Sequence, residues 1–225
     1  MSASLARRTI PILISLTITG LCLFLPAGRL DWLRGWILLG LSFAAGIAAT
    51  VVLARDPALL AERRNVKAGK GWDKIIVPFV VLVGPATVWI TAGLDVRHHW
   101  SRPMPSWIFA GGIALAAIGG GIVVWAMRTN RFFSAVVRIQ RDRGQTVATG
   151  GPYRYVRHPG YVGMTAFLFA TPLILGSWWA FIPSVATAAV TVLRTALEDH
   201  TLQVELEGYA DYVRNVRYRL VPFVW

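Results

Sequence analysis

Cysteine occurs once in the 225 residues, as Cys22, so no intrachain disulfide can form and no cysteine-built metal site is available. Charge is scarce: 15% of residues are charged, against about a quarter in soluble domains. Acids are scarcer still, 11 Asp+Glu against 23 Lys+Arg. No Walker loop, zinc-ligand spacing, nucleophile elbow or repeat of 20–50 residues is present. Apolar residues fill the space, at 55% of the chain and in long blocks, which excludes disorder and argues against a water-soluble globule. A net charge of +12 in a soluble protein would suggest nucleic acid. Here the basic residues sit between apolar blocks, so an anionic membrane face is the partner they fit, and no nucleic-acid or metal partner is expected.

A membrane span needs about 20 apolar residues. Four blocks meet that requirement: Thr9–Pro26, Trp32–Ala54, Ile75–Leu94 and Trp107–Met127. Arg7 and Arg8 before the first block also suit a signal peptide, but no small-x-small cleavage site follows, so the block is expected to stay as a span. A fifth block, Gly160–Leu193, is too long for one straight helix and carries Pro172 and Gly176-Ser177 near its middle. It predicts two helices of roughly 16 residues folded as a hairpin, each about 24 Å long. The expected fold is all-α and integral to the membrane: four transmembrane helices, a C-terminal helix hairpin that brings the count to five or six, and a cytoplasmic C-terminal helix. With that topology all but four of the 23 Lys+Arg fall on one side. The exceptions are Arg29, Arg34, Arg97 and Arg102. The positive-inside rule then puts both termini, the segment Arg55–Lys74 and the segment Arg128–Gly160 in the cytoplasm. Arg55–Lys74 is expected to serve lipid head groups and packing. Gly119-Gly120-Gly121 suits close helix packing, and His98, His99 and His200 suit solvated positions.

Polar residues concentrate late. Arg128–Tyr161 is basic, and from Arg194 onward the chain carries five of its eleven acids: Glu198, Asp199, Glu205, Glu207 and Asp211. Both segments flank the hairpin on the same side and should meet at its open end, an arrangement suited to a zwitterionic ligand. Arg194–Glu207 predicts a helix continuing from the hairpin, closed by Gly208. Arg194 and Glu198 lie one turn apart, as an ordinary i,i+4 ion pair or as two groups of one site. The run from Tyr153 to Tyr161 packs two arginines, one histidine and three tyrosines into a segment that Pro159 holds out of helical geometry at His158. It suits either an interfacial aromatic belt or a binding loop.

Taken in order, the stretch Gly151-Pro-Tyr-Arg-Tyr-Val-Arg-His-Pro-Gly-Tyr-Val-Gly163, the spacing Arg194-x-x-x-Glu198-Asp199-x-x-Leu202, the stretch Gly208-Tyr-Ala-Asp-Tyr212 and Arg217-Tyr-Arg-Leu-Val-Pro222 resemble the isoprenylcysteine carboxyl methyltransferase family and its phospholipid methyltransferase-like relatives. Asn130-x-Phe-Phe-Ser and Val-Arg-Ile-Gln140 fit as well. The resemblance covers residues 110–225 and divides the chain into N-terminal transmembrane helices, 1–106, and a methyltransferase core, 107–225. The core would hold a cofactor loop at 128–161 and the hairpin at 160–194.

The resemblance implies an integral membrane enzyme that uses S-adenosylmethionine. Carried over residue by residue, Gln140, the strip Gln145, Thr146, Val147 and Ala148, and Tyr153 would line the cofactor. So would His158, Pro159, Gly160, Tyr161 and Glu198. Asp199 joins them where the family has a second glutamate. Arg194 matches the arginine that faces the acceptor carboxylate. Methyl transfer from a sulfonium is an in-line displacement that depends on positioning and water exclusion. A carboxylate acceptor needs no general base, and an arginine fork would hold it bidentately. The implied partner is a lipid-like or small hydrophobic acceptor arriving from the bilayer. Alternatives are a phospholipid N- or small-thiol S-methyltransferase of the same fold, in which His158 or Glu198 would serve as base, and an NADPH-dependent membrane reductase.

Overall fold

The computed structural model describes the backbone of residues 3–225 and, except for Arg64, the side chains from Ile10 onward. The side chains of Arg7, Arg8 and Arg64, which enter the charge count above, lie outside the described residues. Eight α-helices form among these residues: α1 (Ala3–Ala27), α2 (Leu33–Ala54), α3 (Pro57–Arg64), α4 (Asp73–His98), α5 (Ser106–Thr129), α6 (Pro159–Leu175), α7 (Phe181–Glu205) and α8 (Tyr209–Asn215). No strand occurs among them. Helices α1, α2, α4, α5 and α7 are long and apolar enough to cross a bilayer, and α6 is a shorter apolar helix of 17 residues. The fold is that of an all-α integral membrane protein. Exposed leucine, isoleucine and tryptophan side chains cover the helices; Trp107, for example, is 73% exposed. In water such a surface would aggregate, and in lipid it is the solvated face.

The hairpin forms, with unequal arms. The chain turns at Gly176, whose φ of +77° a side chain would resist. Gly176 and Ser177 donate their amides to the Pro172 carbonyl, and the Ser177 hydroxyl accepts the Ala180 amide. Pro172 stays inside α6. The second arm and the expected continuation from Arg194 form one helix of 25 residues, because α7 runs unbroken to Glu205. At 1.5 Å per residue its last three turns lift residues 194–205 beyond the apolar stretch. Buried Ser184, Thr187, Thr191 and Thr195 return their hydroxyls to carbonyls one turn back, so no polar atom is left unpaired on this face.

Helix α4 contains a wide π-turn over Phe79–Val83. Pro85 has no amide to close the preceding turn, and the Gly84 amide reaches Phe79 five residues back. Helices α5 and α6 pack most closely. A methyl on Gly119 would fall 2.6 Å from the Gly163 carbonyl oxygen, whereas Gly120 and Gly121 meet nothing within 4 Å. Within the glycine triplet, Gly119 alone serves packing. The main core joins Leu23, Leu38, Val88, Ala92 and Ile174 from α1, α2, α4 and α6.

Segment Arg55–Lys74 is more than a head-group loop. Asp56 caps α3 by accepting the Leu59 amide at 2.9 Å, Pro57 occupies its first turn, and Leu59 is buried. The segment returns as α4 through Asp73, which is fully buried. Between α5 and α6 the chain is irregular except for two short 3-10 turns. Side chains hold it in place. Asp73 accepts the Val137 amide at 2.6 Å, Asn130 accepts the Phe132 amide at 2.9 Å, and Gln140 donates to the Phe132 carbonyl at 2.9 Å.

Candidate active site

The irregular segment, the start of α6, the raised end of α7 and the tyrosines of α8 enclose a cavity of about 350 Å³. The sequence motifs meet here. Pro159 supplies the first residue of α6, and its ring keeps His158 out of helical geometry, at φ −125° and ψ 61°. The C-terminal segment grips the same bend: Arg157 and His158 donate their amides to the carbonyls of Tyr218 and Arg219 at 2.9 and 3.0 Å.

Asp199 organises this corner from behind. Its carboxylate accepts both Nε and Nη2 of Arg157 at 2.8 and 2.9 Å, Arg219 Nε at 2.8 Å, Gln203 Nε2 at 2.8 Å and the Tyr209 hydroxyl at 3.0 Å. His158 Nε2 lies 3.2 Å from the same carboxylate. A carboxylate offers about four lone-pair sites, so Asp199 is saturated. It is wholly buried and does not line the cavity. The structure therefore gives Asp199 no direct ligand contact, contrary to the sequence expectation; it fixes the groups that do face inward. Pro159 likewise stands behind the wall, while Gly160 lines it. A side chain at Gly160 would meet the Phe133 ring at 2.7 Å.

Because the carboxylate takes the Nε2 proton, Nδ1 is the His158 nitrogen left for a ligand, and in the neutral ring it is an acceptor. Glu198, on the cavity side of α7, accepts the Tyr161 hydroxyl in a short hydrogen bond. Of the two alternatives for Arg194 and Glu198, the i,i+4 ion pair does not form, and both residues line the cavity. Arg194 turns the other way, with Nε and Nη2 donating to Asp73 at 2.8 and 3.2 Å and Nη2 also to the Ala135 carbonyl at 3.1 Å. Its guanidinium lies 5.2 Å from the Tyr161 ring. A bidentate grip on an acceptor carboxylate is thus unavailable to it, and only Nη1 remains without a partner among the described residues.

Gln140 and Gln145 spend their side chains on the loop itself. Gln140 is 1% exposed and accepts from Arg143, and the Gln145 Oε1 accepts the Gln140 amide at 2.7 Å. Thr146, Val147 and Ala148 continue along the wall. Tyr153 is buried, with its hydroxyl 3.3 Å from Asn130 Nδ2 and its carbonyl accepting the Tyr212 hydroxyl at 2.7 Å. Burial raises the pKa of Tyr153, and burial with the Asp199 charge raises that of Tyr209, so both remain phenols at neutral pH.

Lining residues that were not among the sequence candidates include Arg63, Phe132, Phe133, Tyr209 and Tyr212. The two tyrosines belong to the family-like motif. Phe132 and Phe133 lie in Asn130-x-Phe-Phe-Ser. Arg63 carried no local signal. Asp73, which reaches the site through Arg194, did carry one, as a lone acid at the head of an apolar block. Burial lowers the pKa of Arg63, and no carboxylate counters it.

A second cavity, about 680 Å³ and almost wholly apolar, opens among α2, α4, α5, α6 and α7. Val81, in the π-turn, and Met164, in α6, line both cavities. Among the described residues no cluster of His, Cys, Asp and Glu suits a metal ion.

Residues 107–206 match the sequence model of the phospholipid methyltransferase family. A curated relative, the protein-S-isoprenylcysteine O-methyltransferase of Schizosaccharomyces pombe, is 35% identical over 52 residues, which is 23% of this chain and 22% of the relative's length. The two matches support a membrane methyltransferase of the isoprenylcysteine and phospholipid type.

Proposed function

We propose that the chain transfers a methyl group from S-adenosylmethionine to a lipid-like acceptor, on the cytoplasmic side of the membrane. The observation that carries this reading is the pair of adjoining cavities, one polar and built on Arg157-His158-Pro159-Gly160-Tyr161 and Glu198, the other apolar and at membrane depth, with Val81 and Met164 common to both. The polar cavity has a volume within the range of small-molecule sites, roughly 300–1,000 Å³. Its chemistry suits the donor. Glu198 and His158 Nδ1 are acceptors for an ammonium or ribose hydroxyls, the backbone of Gln145–Ala148 offers hydrogen bonds, and Leu202 and Leu206 with the aromatic side chains cover an adenine. Bound there, S-adenosylmethionine supplies an electrophilic methyl carbon on a sulfonium.

The residues contribute binding, alignment and dryness. Tyr161 holds the Glu198 carboxylate in one orientation, Asp199 holds the imidazole, and the cation of Arg194 over the Tyr161 ring fixes that ring in the wall of the polar cavity. A carboxylate acceptor, as in the isoprenylcysteine reading, takes a single hydrogen bond from Arg194 Nη1 and needs no base. An amine acceptor, as in the phospholipid reading, gives up its proton to His158 Nδ1 or Glu198. The occupied fork of Arg194 favours giving this second reading equal standing.

Calorimetry on purified protein with S-adenosylmethionine and with NADPH tests the cofactor. Binding of the first alone is expected, and binding of NADPH alone would replace the reading by a reductase. Incubation with isotopically labelled methyl donor, followed by mass spectrometry of membrane lipids and small molecules, then identifies the acceptor and whether oxygen, nitrogen or sulfur carries the label.

A further inference from the structure

Three cations along the polar cavity are neutralised where they stand. Arg138 is held by Glu62 and Asp142, Arg157 by Asp199, and Arg194 by Asp73. Arg63 differs. Among the described residues its one hydrogen bond goes to the Phe133 carbonyl at 3.3 Å, and its guanidinium lies 5.6 Å from the Phe133 ring. The side chain is nonetheless aimed. Glu62, its chain neighbour, is buried and docks on Arg138, and Asp56 and Leu59 fix the other end of α3. A guanidinium drawn from water with no acid beside it is costly, and an incoming anion removes that cost.

Position indicates which anion. Arg63 and Arg194 bond to the carbonyls of Phe133 and Ala135, which any backbone shape keeps within about 7 Å. On the same side stand Val66, Val77 and Val81, and Val81 also borders the apolar cavity. The groups suited to the donor, Glu198, His158 and the Gln145–Ala148 backbone, come from α7, the bend before α6 and the loop. We propose that Arg63 is the anion-binding residue on the acceptor side, taking a phosphate or carboxylate oxygen of the acceptor's head group while the acceptor's tail lies in the apolar cavity. This assignment rests on the methyltransferase reading, in which the acceptor arrives from the bilayer.

The probes are dodecyl phosphate, dodecanoate and the uncharged dodecylglycerol, bound to purified protein and measured by native mass spectrometry with and without S-adenosylhomocysteine. Wild type should prefer at least one anionic head to the uncharged one, and Arg63→Gln should lose that preference by roughly 10-fold or more. Arg63→Lys should keep part of it. Inorganic phosphate alone should compete poorly, since it has no tail for the apolar cavity; competition as strong as that of dodecyl phosphate would overturn the lipid head group as the source. S-adenosylhomocysteine affinity and thermal midpoint should be unchanged in both variants. An unaltered head-group preference in Arg63→Gln would overturn the assignment. So would a parallel loss of S-adenosylhomocysteine affinity, which would place Arg63 on the donor carboxylate, or a drop in thermal midpoint matching the lost binding. If wild type fails to bind S-adenosylhomocysteine, the methyltransferase reading falls, while the head-group preference measured without it still decides the role of Arg63.

Discussion

Neighbouring acids on α7 have opposite duties. Glu198 faces the cavity with one hydrogen bond from Tyr161, and Asp199, one position on, is buried behind it under two arginines, a glutamine, a tyrosine and a histidine. Glu198→Ala and His158→Ala are expected to weaken S-adenosylmethionine binding by roughly 10- to 150-fold, the worth of a hydrogen bond to a charged group, with thermal stability little changed. Calorimetry beside a melting curve checks both. Asp199→Asn leaves Arg157 and the partly exposed Arg219 without their counter-charge, which for buried pairs costs about 3–5 kcal/mol. Its melting point should fall first and its binding with it. The sequence pattern Glu198-Asp199 located both residues, but not this division, because a 100° step around a helix decides which carboxylate looks inward. Arg194 teaches the same lesson. Its spacing to Glu198 was visible in the sequence, whereas its partner Asp73 lies 121 positions away and only the fold brings it near.

At the level of helices, glycines set the distances. Gly119 and Gly163 let α5 and α6 touch backbone to backbone, and that contact positions the His158–Pro159 bend at the head of α6 against the loop leaving α5. Gly119→Ala should destabilise the protein by about 1–3 kcal/mol, the usual cost of overpacking, while Gly121→Ala should be neutral or slightly stabilising, since open space surrounds it. Thermal unfolding in one detergent compares them directly. The spans and the hairpin could be read from hydropathy because bilayer thickness imposes a length that composition must meet. The small helix α3 could not, since eight residues with a capping aspartate, Asp56, leave too weak a periodic signal, and its burial depends on Arg138 in a distant segment.

For the whole molecule, the asymmetry of positive charge and the site at one end of the bundle make a single statement about sidedness. With Cys22 replaced by serine, a cysteine at Gly71 should react with impermeant maleimide in inside-out vesicles and not in intact cells. Gly71 is exposed and its added side chain meets nothing within 4 Å. Labelling from the outside would invert the orientation and place the site on the opposite face. The methyltransferase-like motifs were legible because they are local runs, such as Tyr153 to Tyr161. The apolar cavity was not, since it is assembled from five helices and no run of residues announces it.

The π-turn at Phe79–Val83 amounts to one residue more than a regular helix would need between Asp73 and the buried stretch of α4. Removing a single residue there, for instance Leu82, which faces outward and is 48% exposed, takes away no lining group. The wide turn then closes to a regular one, so the residues on either side keep their phase. Asp73 should still reach Arg194 and the Val137 amide with Val88 and Ala92 in the core, and the thermal midpoint of the deletion variant should fall little. A one-residue deletion from a regular turn would instead rotate one side by about 100° against the other. The wide turn is thus slack in α4, a stretch where its length can change without turning Asp73 away from its partners.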